Sequence, residues 1–535
     1  MPHVTTRTQD TGDRSRTRGR LLLGSCAGVL TVVACGAAGE LVAALLGTPS
    51  PVVAVGDAVV DNTPQPLAKL AIALFGTADK IVLVSGIVIT LLGVGGVLGV
   101  VALRRPSLGY AGLVVFGAAG VAAVFIGRGG DTRAVIPVLA AVAVGVLCLA
   151  VLLRAARRVR PAGEDPGGEI APAGAGVIEH RPGRRAFVLT SLGVAAGAGA
   201  AGALSRLVPG WLGGAGGRES VVLPAAARPL PALPAATELG VPGLTPFVTP
   251  NRDFYRIDTA LTVPRPNADR WRLRVHGLVD RPFEITMDEL LDLPLVEADI
   301  TLTCVSNQVG GDLAGNARWL GYPLADLLRR AGVRADADQI LATSHDGWTC
   351  GTPTEVVMDG RDALLAVGMN GEPLPHEHGF PVRTVVPGLY GFVSATKWVT
   401  DLKLTRFSDE LAYWAQRDWA VKAPIHTMSR IDVPAPLARV GAGEVVLAGV
   451  AWAQHTGIDA VEIRVDDGPW ADAELAKVPG IDTWVQWVAE VSVEPGRHDV
   501  EVRATDATGY VQTSERAEPI PSGATGWHRI AFTAT

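Results

Sequence analysis

The sequence is poor in charged residues and in cysteine for its length. Of 535 residues, 48% are hydrophobic and only 19% are charged, which excludes one ordinary soluble globule and places part of the chain in lipid. The formal net charge of −6 argues against a nucleic-acid partner. The five cysteines form no disulfide framework, no CxxCH haem attachment and no iron–sulfur spacing. Redox chemistry in this chain therefore requires a separate electron carrier.

Long runs without a charged residue fill the N-terminal part. Four runs, 21–39, 81–103, 108–127 and 134–153, lack Asp, Glu, Lys and Arg, and each is close to the ~20 residues that a membrane-crossing helix needs. No histidine lies between His3 and His180, so the bundle lacks the paired imidazoles of a membrane haem. We expect it to be an anchor or docking element; a quinone site, which needs no diagnostic residue, stays open.

The basic residues indicate the orientation of these spans. Arginines cluster at 14–20, 104–105 and 154–160, all on one face, which the positive-inside rule makes cytoplasmic. Arg128 and Arg133 lie on the opposite face. Segment 65–76 is too short to cross and is predicted to be an interfacial helix.

A fifth apolar run, 186–207, follows a pair of arginines. Arg184, Arg185 and Phe187 resemble a twin-arginine export signal placed inside the chain. The alternative is the basic flank of an ordinary last helix. Both interpretations send the C-terminal half to the extracytoplasmic side of the cell membrane.

The polar half divides by composition and periodicity. A Pro- and Ala-rich stretch is predicted to be a stiff spacer that lifts a domain from the bilayer. Alternating strands with two short helices then indicate an α+β domain, and strands alone indicate a β-sandwich. The predicted segments are a cytoplasmic tail 1–20, a four-span region 21–160, a loop and fifth span 161–207, a linker 208–245, an α+β domain 246–428 and an all-β domain 429–535.

One cysteine carries the most chemical information. In DITLTCVSNQVGGDLAGNARWLGYPLADLL, residues 299–328, Cys304 ends a strand-like run and opens a Gly- and Asn-rich loop, so a rigid element holds the thiol and the loop leaves room beside it. By chemistry alone the thiol is a nucleophile, a soft-metal ligand, half of a disulfide or an apolar filler. Cys350 is the only disulfide partner that the polar half offers.

This segment resembles the molybdenum-ligating loop of the sulfite oxidase family. There, a Cys-x-x-Asn step is followed by Gly-Asn-Ala-x-Trp-x-Gly and a helix of Leu-x-x-Leu-Leu character. The same order is present at Cys304, Asn307, Gly315, Asn316, Ala317, Trp319, Gly321 and Leu324. The resemblance implies one pyranopterin per chain, with molybdenum held by its dithiolene and by Cys304, soft sulfur ligands suited to a redox-active metal.

A second block, residues 369–398, brings basic side chains together. By chemistry alone, Arg383 offers a planar fork and Lys397 a point charge to a phosphate, with His378 beside them; a β-hairpin with solvated basic residues is the alternative. The block resembles the family's pterin-binding segment, which implies pterin and phosphate contacts for His378 and Arg383. The residues that match its Ser-x-Lys phosphate clasp, with one extra spacer, are Ser394, Ala395, Thr396 and Lys397.

Two shorter motifs and the last domain extend the resemblance to about residues 245–535. TPNRDFYRIDT (249–259) is similar to the family's entrance segment, and ATSHDGW (342–348) to a strand end that supplies a pterin contact. The residues implied near the cofactor are Asn251, Tyr255, Arg256 and Asp346. The all-β domain resembles the family's immunoglobulin-like dimerisation module, which implies a homodimer.

One departure bears on the substrate. Sulfite oxidases of plants and animals carry two arginines after the loop asparagine, whereas this chain has Gln308 and Val309, and Ile257 stands where their entrance segment has another arginine. A sulfite dianion needs convergent positive charge to offset its desolvation. Arg256, one position away, is the candidate replacement.

The resemblance implies a membrane-anchored enzyme that transfers an oxygen atom as sulfite oxidases do. Tyr255, Arg256 and Trp319 are expected to line the substrate pocket beside Cys304, and a small sulfur-containing substrate and a cytochrome or quinone are the implied partners. The alternative within the family is the reduction of methionine sulfoxide or another S- or N-oxide. A hypothesis of another class is a non-enzymatic cell-surface binding protein.

Overall fold

The computed structural model describes residues 9–64, 66–67, 70, 74–75, 79–128, 132–159, 182–212 and 217–535. The chain divides into two compact units after residue 214.

The described part of the first unit is helical. Its helices are α1 Gln9–Leu46, α2 Pro51–Asn62, α3 Asp79–Arg104, α4 Pro106–Ile126, α5 Val135–Arg157 and α6 Pro182–Leu212. All except α2 are long and apolar enough to cross a membrane, so the five predicted spans are confirmed as helices. Leu22, Ile89 and Leu147 are 67%, 68% and 65% exposed, as expected for side chains that face lipid.

Glycines allow α1 and α3 to pack closely. A Cβ on Gly28 would lie 1.9 Å from the carbonyl oxygen of Gly95, and one on Gly99 would lie 2.1 Å from that of Gly24. Small residues at such a crossing let the two backbones touch, which is how helices associate where no hydrophobic effect acts.

Helix α2 was not predicted, because Asp57 and Asp61 interrupt its apolar run. It begins after Ser50, whose hydroxyl accepts the N–H of Val53. Arg128, which stood against the positive-inside pattern, donates to Asp61 at 2.8 Å and lies 3.8 Å from Asp57. Most of the predicted interfacial helix 65–76 lies outside the described residues.

The second unit begins with an α+β part built on two sheets. The strands of the first are β1 Arg272–Gly277, β2 Phe283–Thr286, β5 Gln339–Ser344, β6 Thr349–Pro353 and β10 Val399–Thr405, in the order β2-β1-β10-β5-β6. Those of the second are β3 Val296–Thr303, β4 Ala314–Pro323, β7 Leu364–Met369, β8 Glu372–Pro373 and β9 Arg383–Val385, in the order β3-β4-β7-β8 with β9 on β7. One continuous apolar core joins both sheets.

Three short helices, α7 Met287–Leu291, α8 Leu324–Ala331 and α9 Thr354–Met358, cover this core. Helix α7 starts in a capping box, because Thr286 accepts the N–H of Glu289 and Glu289 accepts that of Thr286. Helix α8 ends at Gly332, which has a φ of +70°, the left-handed conformation that favours glycine at a helix C-cap.

The remaining strands form the predicted β-sandwich. One sheet contains β11 Met428–Val433, β13 Gly443–Trp452, β16 Glu474–Leu475 and β17 Val485–Val493, in the order β11-β13-β17-β16. The other contains β12 Arg439–Val440, β14 Ile458–Val465, β15 Ala471–Asp472, β18 Gly496–Asp506 and β19 His528–Ala534, in the order β12-β19-β18-β14-β15. The residues between the two sheets form a second core centred on Trp487 and Phe532.

The predicted spacer does not stand free of the folded unit. Arg228 bridges to Val296 beside β3, and the N–H of Ala227 donates to the carbonyl of Leu295 at 2.7 Å. Further along, the carbonyl of Ala236 accepts the N–H of Lys477 at 3.0 Å. The segment is extended, as proline predicts, but it lies along both the α+β part and the sandwich. Its backbone pairs with these neighbours, so residues 227–236 of the predicted spacer are docked on the folded unit.

Candidate molybdenum and pterin site

Cys304 follows β3 directly and opens the loop to β4. The loop, residues 304–313, is closed at its base, since the N–H of Cys304 donates to Leu313 O at 2.9 Å and Asn307 Oδ1 accepts the N–H of Leu313 at 2.9 Å. The N–H of Asn307 also donates to Cys304 O at 3.0 Å. The thiol is therefore fixed by two paired strands and a closed turn.

The surroundings of the thiol set its acidity. Cys304 is 8% exposed, and burial raises the pKa of its thiol. The N–H of Ser306, 3.4 Å from Sγ, and the charge of Lys397 act in the opposite direction. All five cysteines are free, and Cys350 is fully buried in the core, so the disulfide that the sequence left open is not formed. Burial outweighs these two effects, so the metal-free Cys304 thiol keeps its proton, and binding of a soft metal would release it.

Arg383 supplies a buried positive charge. Its side chain is 5% exposed and donates only to backbone carbonyls, those of His378 and Thr384. No carboxylate lies within ion-pair distance of it among residues 217–535, and burial lowers the pKa of the guanidinium to about 10. Buried charges are normally paired. A guanidinium in this position therefore suits an anionic ligand such as a phosphate.

Lys397 and Arg256 share one carboxylate that the sequence analysis missed. Asp258 accepts from Lys397 Nζ at 2.7 Å and from Arg256 Nε at 2.9 Å, and its side chain is only 5% exposed. Burial lowers the pKa of Lys397 to about 8, although Asp258 opposes this. Asp258 follows Arg256 by two positions in the motif TPNRDFYRIDT. Its place in that motif was the sequence signal that could have identified it. With Arg383 added, three cations face one carboxylate, and the site keeps an excess of positive charge.

The entrance segment is tied to the pterin block by an amide network. His378 Nε2 lies 2.8 Å from Asn251 O, and burial lowers the pKa of this imidazole to about 4. Asn251 Nδ2 donates to Glu372 Oε1 at 2.6 Å, and Asn251 Oδ1 accepts from Asn370 Nδ2 at 2.8 Å. The predicted pair Asn251 and His378 is thus brought together, while Asn370 and Glu372 were not singled out from the sequence.

Two tyrosines lie close enough to Cys304 to sense its charge. Tyr255 is half-buried and stacks on Phe254 at 5.3 Å, and burial together with the neighbouring thiolate raises its pKa. Tyr390 was missed although it lies inside the quoted pterin block. Burial raises the pKa of Tyr390 to about 12, and its hydroxyl accepts the N–H of His426 at 3.4 Å. Both phenols therefore keep their protons at neutral pH.

Trp319 does not line a pocket wall. It is fully buried, donates to Ile300 O at 3.0 Å and packs edge-on against Phe254 at 5.9 Å. Its ring lies 5.1 Å from the guanidinium carbon of Arg383. The expectation that Trp319 contacts substrate is therefore corrected. Trp319 occupies a position of β4 that faces the core, and from there its ring packs against Arg383.

The predicted clasp uses most of its polar groups internally. Ser394 is fully buried and its hydroxyl donates to the carbonyls of Leu389 and Tyr390. The N–H of Ala395 donates to Gly391 O, and that of Thr396 to Thr384 Oγ1. Only the ammonium of Lys397 is directed to Asp258, the carboxylate that it shares with Arg256.

Asp346 lies in the turn between β5 and β6, where it accepts the N–H of Trp348 at 3.3 Å. The N–H of His345 donates to Trp398 O at 2.8 Å, so this turn borders the residue after Lys397. Asp346 thus lies in a turn that borders Trp398, and among residues 217–535 it forms no hydrogen bond or ion pair with Arg383 or Lys397.

Comparisons with known proteins agree with this site. The family model described as "Oxidoreductase molybdopterin binding domain" matches residues 260–414. The uncharacterized oxidoreductase YuiH of Bacillus subtilis is 32% identical over 153 residues, which cover 29% of this chain and 74% of that protein. The mitochondrial sulfite oxidase of Drosophila melanogaster is 28% identical over 350 residues, 55% of this chain and 60% of that enzyme.

A solved structure is also similar. The sulfane dehydrogenase SoxCD of Paracoccus pantotrophus shares 26% identity, with a TM-score of 0.46, over 50% of this chain and 75% of that one. The chain spans 60% and 49% of the length of the mitochondrial sulfite oxidases of Drosophila melanogaster and Rattus norvegicus. Its cysteine loop, its buried cations and its match to YuiH over most of that protein agree: the chain belongs to the sulfite oxidase superfamily of molybdopterin-dependent oxidoreductases.

Proposed function

We propose that this protein is a membrane-anchored oxidoreductase that transfers an oxygen atom to or from the sulfur of a small substrate, as sulfite oxidases do. The observation that carries the proposal is that a fixed thiol, Cys304, and a buried guanidinium, Arg383, both lie near Tyr255, and that Arg383 has no carboxylate within ion-pair distance among residues 217–535. The first suits molybdenum and the second suits the pterin phosphate. The donor set thus fits one Mo-molybdopterin per chain.

When bound, the molybdenum cofactor supplies the redox chemistry and the exchangeable oxygen. The protein residues bind, orient and hold protons. Arg383 and Lys397 would bind the phosphate of the cofactor, and Asn251 and His378 would hold its pterin. Tyr255, which is half-buried, keeps its phenolic proton near Cys304, so it would donate a hydrogen bond to an oxygen on the substrate and orient it.

A reductase of methionine sulfoxide or another S- or N-oxide is the second candidate. Arg256, the expected replacement for the missing arginines, is bound to Asp258, a carboxylate that it shares with Lys397. The positive charge of Arg256 is therefore partly offset, which disfavours a sulfite dianion, whereas an uncharged sulfoxide needs only hydrogen-bond donors. This observation favours an uncharged substrate.

The membrane position and the partners belong to the same proposal. In the described part of the chain, five helices long and apolar enough to span a membrane support an anchor in the cell membrane, with the N-terminus cytoplasmic and residues 246–535 outside. The pair Arg184 and Arg185, exposed at the start of α6, supports twin-arginine export of the second unit after it has folded. We expect a separate cytochrome or quinone as electron carrier, and a homodimer through the sandwich.

The test compares two cysteine variants of the full chain in detergent. Cys304→Ser is expected to lose bound molybdenum and all turnover, because a hydroxyl is a poor ligand beside a dithiolene. Cys350→Ser, the matched control for a buried thiol, is expected to keep both. Elemental analysis and steady-state rates with sulfite and with methionine sulfoxide are measured. Stoichiometric molybdenum in Cys304→Ser contradicts the ligand assignment, and sulfite turnover far slower than sulfoxide turnover selects the second candidate.

A further inference from the structure

The cysteine loop rests on the β-sandwich through a buried arginine. Arg430, in β11, is 7% exposed and donates from its guanidinium to Gly311 O at 2.8 Å. The same guanidinium pairs with Asp432 at 2.6 Å and donates to Thr245 Oγ1 at 2.8 Å. Arg430 is thus held by two partners, Asp432 and Thr245, in addition to its bond to the loop.

A buried amide holds the strand that carries the cysteine. Gln454, just after β13, is 4% exposed and donates from Nε2 to Thr301 O at 3.2 Å and to Thr303 Oγ1 at 3.0 Å. Thr301 is bonded to the sandwich twice more, through its N–H to Asp482 O and through its hydroxyl, which accepts the N–H of Trp484. The last residues of β3 are therefore bonded to sandwich residues.

A histidine packs directly on the loop backbone. The ring of His528, the first residue of β19, lies so close to Gly310 that a Cβ there would sit 2.2 Å from Nε2. Its Nδ1 accepts the N–H of Ile431 at 3.0 Å, which places the ring proton on Nε2, toward the loop. Gly310 has a φ of +78°, a conformation that suits glycine.

We infer that the sandwich positions the Cys304 thiol for the metal, and that Arg430 and Gln454 are the positioning residues. The sandwich reaches both sides of the cysteine, the strand before it and the loop after it. Metal–ligand distances tolerate only about 0.2 Å, so a ligand on a loop needs such support. The role of these hydrogen bonds in metal binding rests on the proposed function. Their effect on the position of the cysteine loop does not depend on it.

The experiment measures the loop in the cofactor-free full chain. Arg430→Gln and Gln454→Met remove the two ties, and alkylation of Cys304 by iodoacetamide is followed by mass spectrometry of its peptide. A buried thiol reacts when its loop opens, so alkylation is expected to be about fivefold faster for each hydrogen bond lost. Two matched controls remove comparable groups from the same sandwich: Arg503→Gln breaks the pair with Glu462, and Gln512→Met removes a buried amide bonded to Ser429.

Both control variants are expected to show the wild-type rate of Cys304 alkylation. In the molybdenum-loaded protein, the sulfur-to-metal charge-transfer absorption is expected to shift in Arg430→Gln and Gln454→Met only. The inference is overturned by wild-type alkylation in both positioning variants, or by equal acceleration in the controls. Failure of the proposed function is separate: it appears as retained molybdenum in Cys304→Ser, whatever the alkylation rates are.

Discussion

Replacing Arg383 separates binding of the cofactor from stability of the fold. Burial lowers the pKa of its guanidinium from 12.5 to about 10, which corresponds to about 3 kcal/mol of unfavourable free energy. Two hydrogen bonds to carbonyls and the contact with the ring of Trp319 offset this by about 1 kcal/mol each. Arg383→Met is therefore expected to change the free energy of unfolding of the cofactor-free protein by less than about 1 kcal/mol.

The cofactor-loaded protein should respond differently. A bound phosphate supplies the counter-charge that Arg383 lacks, so the loaded wild type is more stable than its cofactor-free form. Arg383→Met is expected to lose most of its molybdenum and the added stability together.

The assay uses full chain purified from cells with and without cofactor synthesis. Denaturant unfolding is followed by tryptophan fluorescence, which reports the second unit because every tryptophan except Trp211 lies there. Arg318→Met is the control, since it strands the Asp299 carboxylate, 4% exposed, and since the side chain of Arg318 bonds to Asp299 and to Pro231 O, neither of which is assigned to the cofactor site. It should lose about 3 kcal/mol and keep its molybdenum. A loss of that size in cofactor-free Arg383→Met, or normal molybdenum in it, would refute the reasoning.

The remaining predictions concern charge, acid stability and helix packing. Asp258→Asn frees Arg256 and should lower the KM for sulfite relative to methionine sulfoxide by about tenfold; an unchanged ratio contradicts the role of this carboxylate. Burial lowers the pKa of His528 to about 4, so stability present above pH 6.5 is lost as pH falls toward 4, by up to about 1.4 kcal/mol per pH unit. His528→Gln should reduce that slope in pH-dependent unfolding, and an unchanged slope argues against it. Gly28→Leu should lower the melting temperature in detergent, whereas Gly36→Leu, with open space at its Cβ, should not; equal effects contradict close packing of α1 and α3.

Much of the fold was predictable because its signals are local. Four charge-free runs and a fifth apolar run, each of about 20 residues, predicted the five spans, since lipid requires that length, and the change from mixed to purely alternating patterns marked the sandwich. Helix α2 escaped because its two aspartates hide the apolar pattern, and these charges are satisfied by Arg128, 67 residues from Asp61. The linker was predicted extended but not docked, because its partners are distant in sequence.

In the candidate site, too, local features could be predicted from the sequence and contacts between distant residues could not. The sequence by itself determined that a cysteine, a histidine, an arginine and a lysine lie in motifs of a molybdopterin enzyme, since residue type and spacing are local properties. The tertiary structure alone decided their charge state. It placed Asp258 between Arg256 and Lys397, left Arg383 without a carboxylate and buried Trp319 in the core. It also brought Arg430 and Gln454 to the cysteine loop from more than a hundred residues away. Electrostatic free energy depends on distance in space and on burial, and neither is written in the order of residues.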